Sequence, residues 1–300
     1  MNIRGLVPDD REHRDVFVLS GGAARGAVEV GMMQTLLEAG IVPDALVGTS
    51  VGALNAAFVG GRPDVRRIHE LAEKWLRLSS RDIFPGGAVR MLAHLAQGHP
   101  YICDSGALRA LIEQWLPTRR LEDLATPVRI VTTPLGTASA RYHSSGDLVS
   151  LLLASAAVPG VFPPVQLRDA DGQIGPHVDG GVADLVPLSA ARDLMPSRVF
   201  VLDATVPARV PRGRSPIEMV VASLGVASRA HGLPDLGDDV EVHHLTAPDL
   251  GTRMRDFSRT AEHLALGRRS AATLLDRLAQ RTDRAPTGPP NAQEVPRSAA

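Results

Sequence analysis

The first compact apolar run, Asp15-Val16-Phe17-Val18-Leu19-Ser20, ends directly in Gly21-Gly22-Ala23-Ala24-Arg25-Gly26. It predicts a buried strand opening into a glycine loop. From Ala27 to Ala39 apolar residues recur at helical spacing (Val28, Met32, Leu36, Leu37), with Gly40 as a C-terminal stop. A second short strand follows from Asp44 through Val47. Gly48-Thr49-Ser50-Val51-Gly52 then turns the chain into an Ala-rich helical run through Val59. This is a βαβ unit, whose parallel strands bring both loops to the carboxyl edge of one sheet.

Further on, Pro63 to Leu78 and Ser105 to Leu116 read as amphipathic helices. Trp75 and Trp115 lie on their apolar faces, where core packing is favoured over contact with a substrate. Between them, Ser79 to Asp104 carries a short helix over Ala88 to Gln97 and suits a cap over a pocket, as does Val210 to Asp238. Val128 to Thr133 is a strand with a hairpin partner in Ala138 to Ser144. Leu148 to Ala157 forms an apolar helix closed by the loop Val158 to Val165, and Pro176 to Val182 is a brief strand ending in Asp179-Gly180-Gly181. A helical stretch from Leu188 to Leu194, strands at Val199 to Asp203 and Asp239 to Leu245, and a closing helix over Ser258 to Arg281 complete the pattern. No internal repeat is present.

Composition narrows the function classes. The length of 300 residues fits one α/β domain over residues 15–281, between a polar segment 1–14 and a Pro- and Ala-rich tail 282–300 expected to be disordered. Hydrophobic residues make up 44% of the chain and aromatic ones 3%, so Ala, Leu and Val must build the core. A formal net charge of −1 argues against nucleic acid as a partner. The single cysteine, Cys103, forms no internal disulfide and permits a reducing, cytoplasmic setting. Met1 to Arg14 lacks the apolar core of a secretory signal, and no run approaches the roughly 18 residues of a membrane span. The apolar candidates, Leu151 to Val165 and Met219 to Ala227, are too short, so any membrane contact is expected to be peripheral. Nothing in the sequence speaks to oligomeric state.

The chemistry concentrates in three loops. A serine between Gly48 and Gly52, at a strand-to-helix turn, has the form of a nucleophile elbow. Neighbours without Cβ let the chain fold back sharply, and the following helix aims its N-terminal N–H groups at an oxyanion forming beside Ser50. The loop Gly21 to Gly26 offers exposed backbone N–H groups, but it has neither the G-x-G-x-x-G spacing of a dinucleotide fingerprint nor a P-loop ending. An oxyanion hole is the better reading. Arg25 either holds this loop, attracts an anionic head group, or is simply solvated. For the base, Asp179 before two glycines is the better candidate, provided its site is dry enough to lift its pKa. None of the ten histidines sits in a catalytic motif. His243 and His244 are the best of them and, with Asp203 as acid, define the rival triad in the order Ser, Asp, His.

Together the blocks resemble the patatin-like phospholipase family: Gly21-Gly22-Ala23-Ala24-Arg25-Gly26, Gly48-Thr49-Ser50-Val51-Gly52, Ala154-Ser155-Ala156-Ala157-Val158-Pro159-Gly160-Val161-Phe162-Pro163-Pro164, and Asp179-Gly180-Gly181, in that order. The resemblance covers about Asp15 to Asp203. It implies a three-layer α/β/α sandwich around a mostly parallel sheet, and hydrolysis of lipid acyl esters by a Ser-Asp dyad without histidine, metal or cofactor. Carried over, Ser50 is the nucleophile, Asp179 the general base, and the N–H groups around Gly21, Gly22 and Ala23 the oxyanion donors. Arg25, Gly26, Gly48, Gly52, Gly180 and Gly181 support the motifs. The alternatives are an α/β-hydrolase-type esterase or thioesterase using the triad, or a lipid-binding module of the same fold with little turnover. Three departures stand out. Ala23 replaces a frequent third glycine, Glu29 replaces a frequent histidine, and Asp184-Leu185 stands where many members carry asparagine, which bears on how the Asp179 loop is anchored.

Overall fold

The computed structural model describes residues 14–85, 96–137, 139–168, 172–205, 223, 226, 232 and 234–284. The expected helix over Ala88 to Gln97 and the tail beyond residue 284 lie largely or wholly outside these residues, as do residues 1–13 and most of 206–233.

The opening βαβ unit is as the pattern predicts: β1 (Asp15–Leu19), α1 (Gly26–Glu38), β2 (Ala45–Thr49) and α2 (Val51–Gly60), with a 3-10 turn at Ala23–Arg25 before α1. Then come α3 (Val65–Arg77), the short α4 (Ser80–Ile83), α5 (Gly106–Trp115), β3 (Val128–Pro134), β4 (Arg141–His143) and α6 (Leu148–Ser155). The chain continues through β5 (Val165–Arg168), β6 (Ile174–Asp179), a 3-10 turn at Gly180–Val182, a 3-10 helix at Leu188–Leu194, β7 (Arg198–Asp203), β8 (Glu241–Thr246) and α7 (Thr260–Arg284).

Among the described residues the sheet has eight strands in the order β5-β6-β3-β2-β1-β7-β8, with β4 paired to β3 off that path. Along that path the neighbours from β3 to β8 run parallel, whereas β4, β5 and β6 pair antiparallel. β3 carries β4 on one edge and, on the other, β2 along Val128 to Val131 followed by β6 along Thr132 to Pro134; Thr132, flanked by β4 and β6, bonds through Oγ1 to both His143 (2.7 Å) and His177 (2.9 Å).

Strand alternation sorts the core into two faces. Phe17, Leu19, Leu46, Ile130, Phe200 and Leu202 point into the large cluster under the α-helices, while Val16, Val18, Val47, Val131, Val199 and Val201 meet Leu188, Ala190, Ala191 and Leu194 of the 3-10 helix. Both tryptophans are buried in the first face. Trp115 stands edge-on to Phe58 at 6.2 Å, and Trp75 Nε1 donates to Asn55 Oδ1 at 3.0 Å. β5 is the element the pattern did not show, because two prolines precede it and Gln166 and Arg168 face outward on an edge strand.

The helix carrying the glycine loop is fixed by an unusually close crossing. A Cβ on Gly267 of α7 would stand 1.9 Å from the Val28 carbonyl oxygen, and one on Gly31 would stand 2.1 Å from that of Leu264. Backbone cannot yield locally there, so α1 and α7 would have to part. We expect Gly267→Ala to cost about 2 kcal/mol or more, read as a lower urea midpoint with an unchanged slope.

Candidate active site

Ser50 is the residue between β2 and α2, and its backbone lies at φ 55°, ψ −123°. A non-glycine residue held there stores on the order of 1–3 kcal/mol, so the surroundings must enforce it. They do so on both sides. The Ser50 N–H donates to Ser155 Oγ at 2.9 Å, and its carbonyl accepts from Ala53 N at 3.0 Å. Gly52 lies against the end of β1, where a Cβ would sit 2.5 Å from the Ser20 carbonyl oxygen, and Gly48 lies against Gly52 at the same separation. These two glycines serve close backbone contact.

Asp179 ends β6. Thr132 on β3 pairs with it, and Val131, one residue earlier, pairs with Thr49, the neighbour of Ser50. Thr132 faces Arg141 of β4 on its other edge, so β6 takes up the edge of β3 that β2 leaves after Thr49, and Asp179 comes directly beside Ser50 at the end of β2. The aspartate reaches that edge on an antiparallel strand that extends past the end of β3. It is 5% exposed, and its Oδ1 accepts from the Gly181 N–H at 2.8 Å. Oδ2 is buried without a formed hydrogen bond. Burial raises the pKa to about 6, while the nearby Ser50 hydroxyl and the Gly181 N–H pull the other way. The site is dry, as a carboxylate base requires.

The glycine loop divides its amides. Gly21 donates its N–H to the Leu185 carbonyl at 2.9 Å, so that group is not available to an oxyanion as the sequence had suggested. Ala24 N–H goes to Met254 O and Arg25 N–H to Gly22 O. Among the described residues the N–H groups of Gly22 and Ala23 donate to no protein acceptor, and they are the pair that remains. Ala23 itself sits at φ 49°, a left-handed conformation that explains the glycine frequent there and costs alanine roughly 1 kcal/mol. Arg25 is neither solvated nor open to an anionic head group. It is 5% exposed, with Nε on Ala204 O at 2.8 Å and Nη1 on Asp249 at 3.5 Å, so it ties the loop to the segment after β8. Gly26 packs under Val51 and Trp75, and Gly180 against the Val131 carbonyl.

Asp184 and Leu185 join these loops through their backbone. The Asp184 carbonyl accepts from Thr49 Oγ1 at 2.9 Å, the Leu185 carbonyl from Gly21, and Asp184 N–H returns to Gly180 O at 2.8 Å. The elbow, the glycine loop and the acid loop thus share one strap, and because carbonyls do the tying, the side chains replacing asparagine leave it intact. Tyr142 on β4 adds a bond from its hydroxyl to Asp184 Oδ2 at 2.8 Å, and burial raises the Asp184 pKa to about 6. Leu185 covers Gly21 and Gly181, its Cδ1 standing 2.6 and 2.8 Å from where their Cβ atoms would be.

The sequence pattern gave neither this strap nor the role of Ser155. A lone serine in the buried run Leu151-Leu152-Leu153-Ala154 was the available signal, since a buried hydroxyl requires a partner. The residues of the rival triad meet one another but not Ser50. His244 Nε2 bonds Asp203 Oδ2 at 2.9 Å on β8, three strand spacings or about 14 Å from β2, and His243 packs on Phe200 at 5.0 Å.

Several known proteins are similar to this chain. The patatin-like phospholipase family profile matches residues 17–192. The patatin-like phospholipase domain-containing protein ZK370.4 of Caenorhabditis elegans is 31% identical over 187 residues, 62% of this chain and 13% of that protein. Lysophospholipase nte1 of Aspergillus terreus is 28% identical over 199 residues, 66% of this chain and 12% of that protein. The chain thus spans about an eighth of the length of these relatives. The crystal structure of VipD from Legionella pneumophila superposes with a TM-score of 0.42 at 16% identity, covering 89% of this chain and 67% of that one. Since the profile runs over more than half of the chain and takes in both Ser50 and Asp179, the protein belongs to the patatin-like phospholipase family.

Proposed function

We infer that the protein is a serine acyl hydrolase acting on carboxylic esters of lipids, with Ser50 as nucleophile and Asp179 as its base. The observation that carries this reading is a strained serine beside a buried carboxyl whose pKa is raised to about 6, next to two N–H groups with no acceptor among the described residues. The names of its relatives, phospholipase and lysophospholipase, support a lipid ester as substrate.

The reaction then runs through an acyl-enzyme. Asp179 takes the Ser50 proton as Oγ adds to the ester carbonyl, and the N–H groups of Gly22 and Ala23, with the N-terminus of α2, hold the oxyanion. Asp179 passes the proton to the departing alkoxide, leaving the acyl group on Ser50. A water, deprotonated by Asp179, then releases the fatty acid. A base with a pKa near 6 is ionised at neutral pH yet still a competent proton acceptor, which a carboxylate near its ordinary value of about 3.9 is not. No described helix is long and apolar enough to cross a membrane.

Four outcomes test this. Ser50→Ala should lower turnover of p-nitrophenyl esters of graded chain length, and of phospholipids, by more than about 1000-fold while the fold is kept. A fluorophosphonate probe should label the parent at Ser50, and a folded chain that takes no label would instead be a lipid-binding module. In the parent, kcat/KM should fall tenfold per unit as pH drops below about 6, because the base must be ionised. His244→Ala should keep that limb and its activity.

Asp179→Asn should be inactive yet more stable. A folded pKa above the unfolded value means the folded state loses stability as pH rises from about 4 to about 6. Denaturant titrations at pH 8 should therefore find the variant more stable by about 3 kcal/mol, with the gain gone at pH 4.

A further inference from the structure

Behind the glycine loop lies a polar group that the mechanism does not use. Glu29, in the first turn of α1, is fully buried, with Oε2 accepting from Asn55 Nδ2 at 2.9 Å and Oε1 3.3 Å from Ser20 Oγ. Asn55 is itself held by Trp75 Nε1 and by the Gly26 carbonyl. Ser20 Oγ accepts from the Ala204 N–H at 2.8 Å and also lies 3.3 Å from the Gly21 carbonyl oxygen. The hydroxyl has one hydrogen and two acceptors at equal distance. Which of them receives it depends on whether Glu29 is an acid or an anion.

As an acid, Glu29 donates to a lone pair of Ser20 Oγ, and Ser20 is free to donate to Gly21; every polar atom is then satisfied. As an anion, Glu29 takes the Ser20 hydrogen for itself. The Gly21 carbonyl and the Gly22 N–H belong to one planar trans peptide and point in opposite directions, so a bond that fixes the carbonyl also aims the N–H. We propose that Glu29 is a positioning residue for the oxyanion loop: by giving its proton to Ser20 it directs the Ser20 hydroxyl onto Gly21 C=O and so aims the Gly22 N–H at the substrate carbonyl. This rests on the acyl-hydrolase reading above.

The surroundings keep the proton in place. Burial pushes the Glu29 pKa well above the carboxylate range, and Asp203 at the end of β7 adds to it, against the bonds from Asn55 and Ser20. The other charged or titratable groups on the elements around it are engaged elsewhere: Arg25 with Ala204 and Asp249, His69 of α3 with Gln34 and Glu38, and His263 and Arg268 of α7 with Thr252 and Glu38. Asp203 is itself bonded to His244. α2 contributes Asn55, which does not titrate.

The test compares steady-state kinetics of the parent, Ser20→Ala and Glu29→Gln on one p-nitrophenyl ester, with circular dichroism to establish folding. Ser20→Ala should lower kcat about 10- to 100-fold with KM within about twofold, since it loosens an oxyanion donor and not a substrate contact. Glu29→Gln, whose amide N–H replaces the acid proton, should keep kcat within about threefold at pH 7, and up to pH 10 it should lack an alkaline decline in kcat that the parent shows. Should Ser20→Ala not fold, Ser20→Cys, a weak donor, should fall between the two. Parent-like kcat in the Ser20 variant, a Gln variant as impaired as Ser20→Ala, or identical pH profiles for parent and Gln variant would each overturn the proposal while Ser50 still takes the fluorophosphonate. A parent chain that takes no label brings down the acyl-hydrolase reading and this proposal with it.

Discussion

The left-handed backbone of Ser50 is the constraint on which the site depends. One residue in a sparsely populated region costs on the order of 1–3 kcal/mol, and it persists because the relaxed alternatives are closed off. Its N–H is held by Ser155 from α6, and the helix that begins after it is pressed onto β1 through Gly52. Neither support is local in the chain. A 105-residue separation between Ser50 and Ser155 means that the elbow acquires its geometry only when α6 docks against the sheet.

The same logic extends to the loops around the serine. The glycine loop, the elbow and the acid loop come from β1, β2 and β6, and the carbonyls of Asp184 and Leu185 bond the first two while Asp184 N–H bonds the third. A strap made of backbone is insensitive to the side chains it carries, which is why Asp184-Leu185 can replace asparagine without untying it. Leu185 lies over Gly21 and Gly181, and burial raises the pKa of both Asp179 and Asp184.

Three acids in this region, Glu29, Asp179 and Asp184, all have pKa values raised by burial. Each favours the folded state less as it ionises, so the region gives up stability at neutral pH. Such groups are expected where function requires a carboxyl in a dry place. The molecule offsets this elsewhere, in the large helix-covered face of the sheet and in the glycine-mediated crossing of α1 and α7.

Short-range pattern carried much of this protein. The run Asp15 to Leu19, the turn Gly48 to Gly52 and the aspartate before Gly180-Gly181 are each written within a few residues, because strand alternation, sharp turns and helix starts are local sterics. Their order along the chain was enough to identify the family. What the tertiary structure decided is the set of pairings between distant segments: that Gly21 spends its N–H on Leu185, that Arg25 is buried against the segment after β8, and that Asp179 comes to Ser50 on an antiparallel strand. It also decided that Asp203 on β7 and His244 on β8, correctly ordered for a triad, lie beyond β1 from the strand that carries the serine. Sequence order carries no information on strand order, since register and neighbour are set by which faces can be buried together, and that is a property of the folded chain.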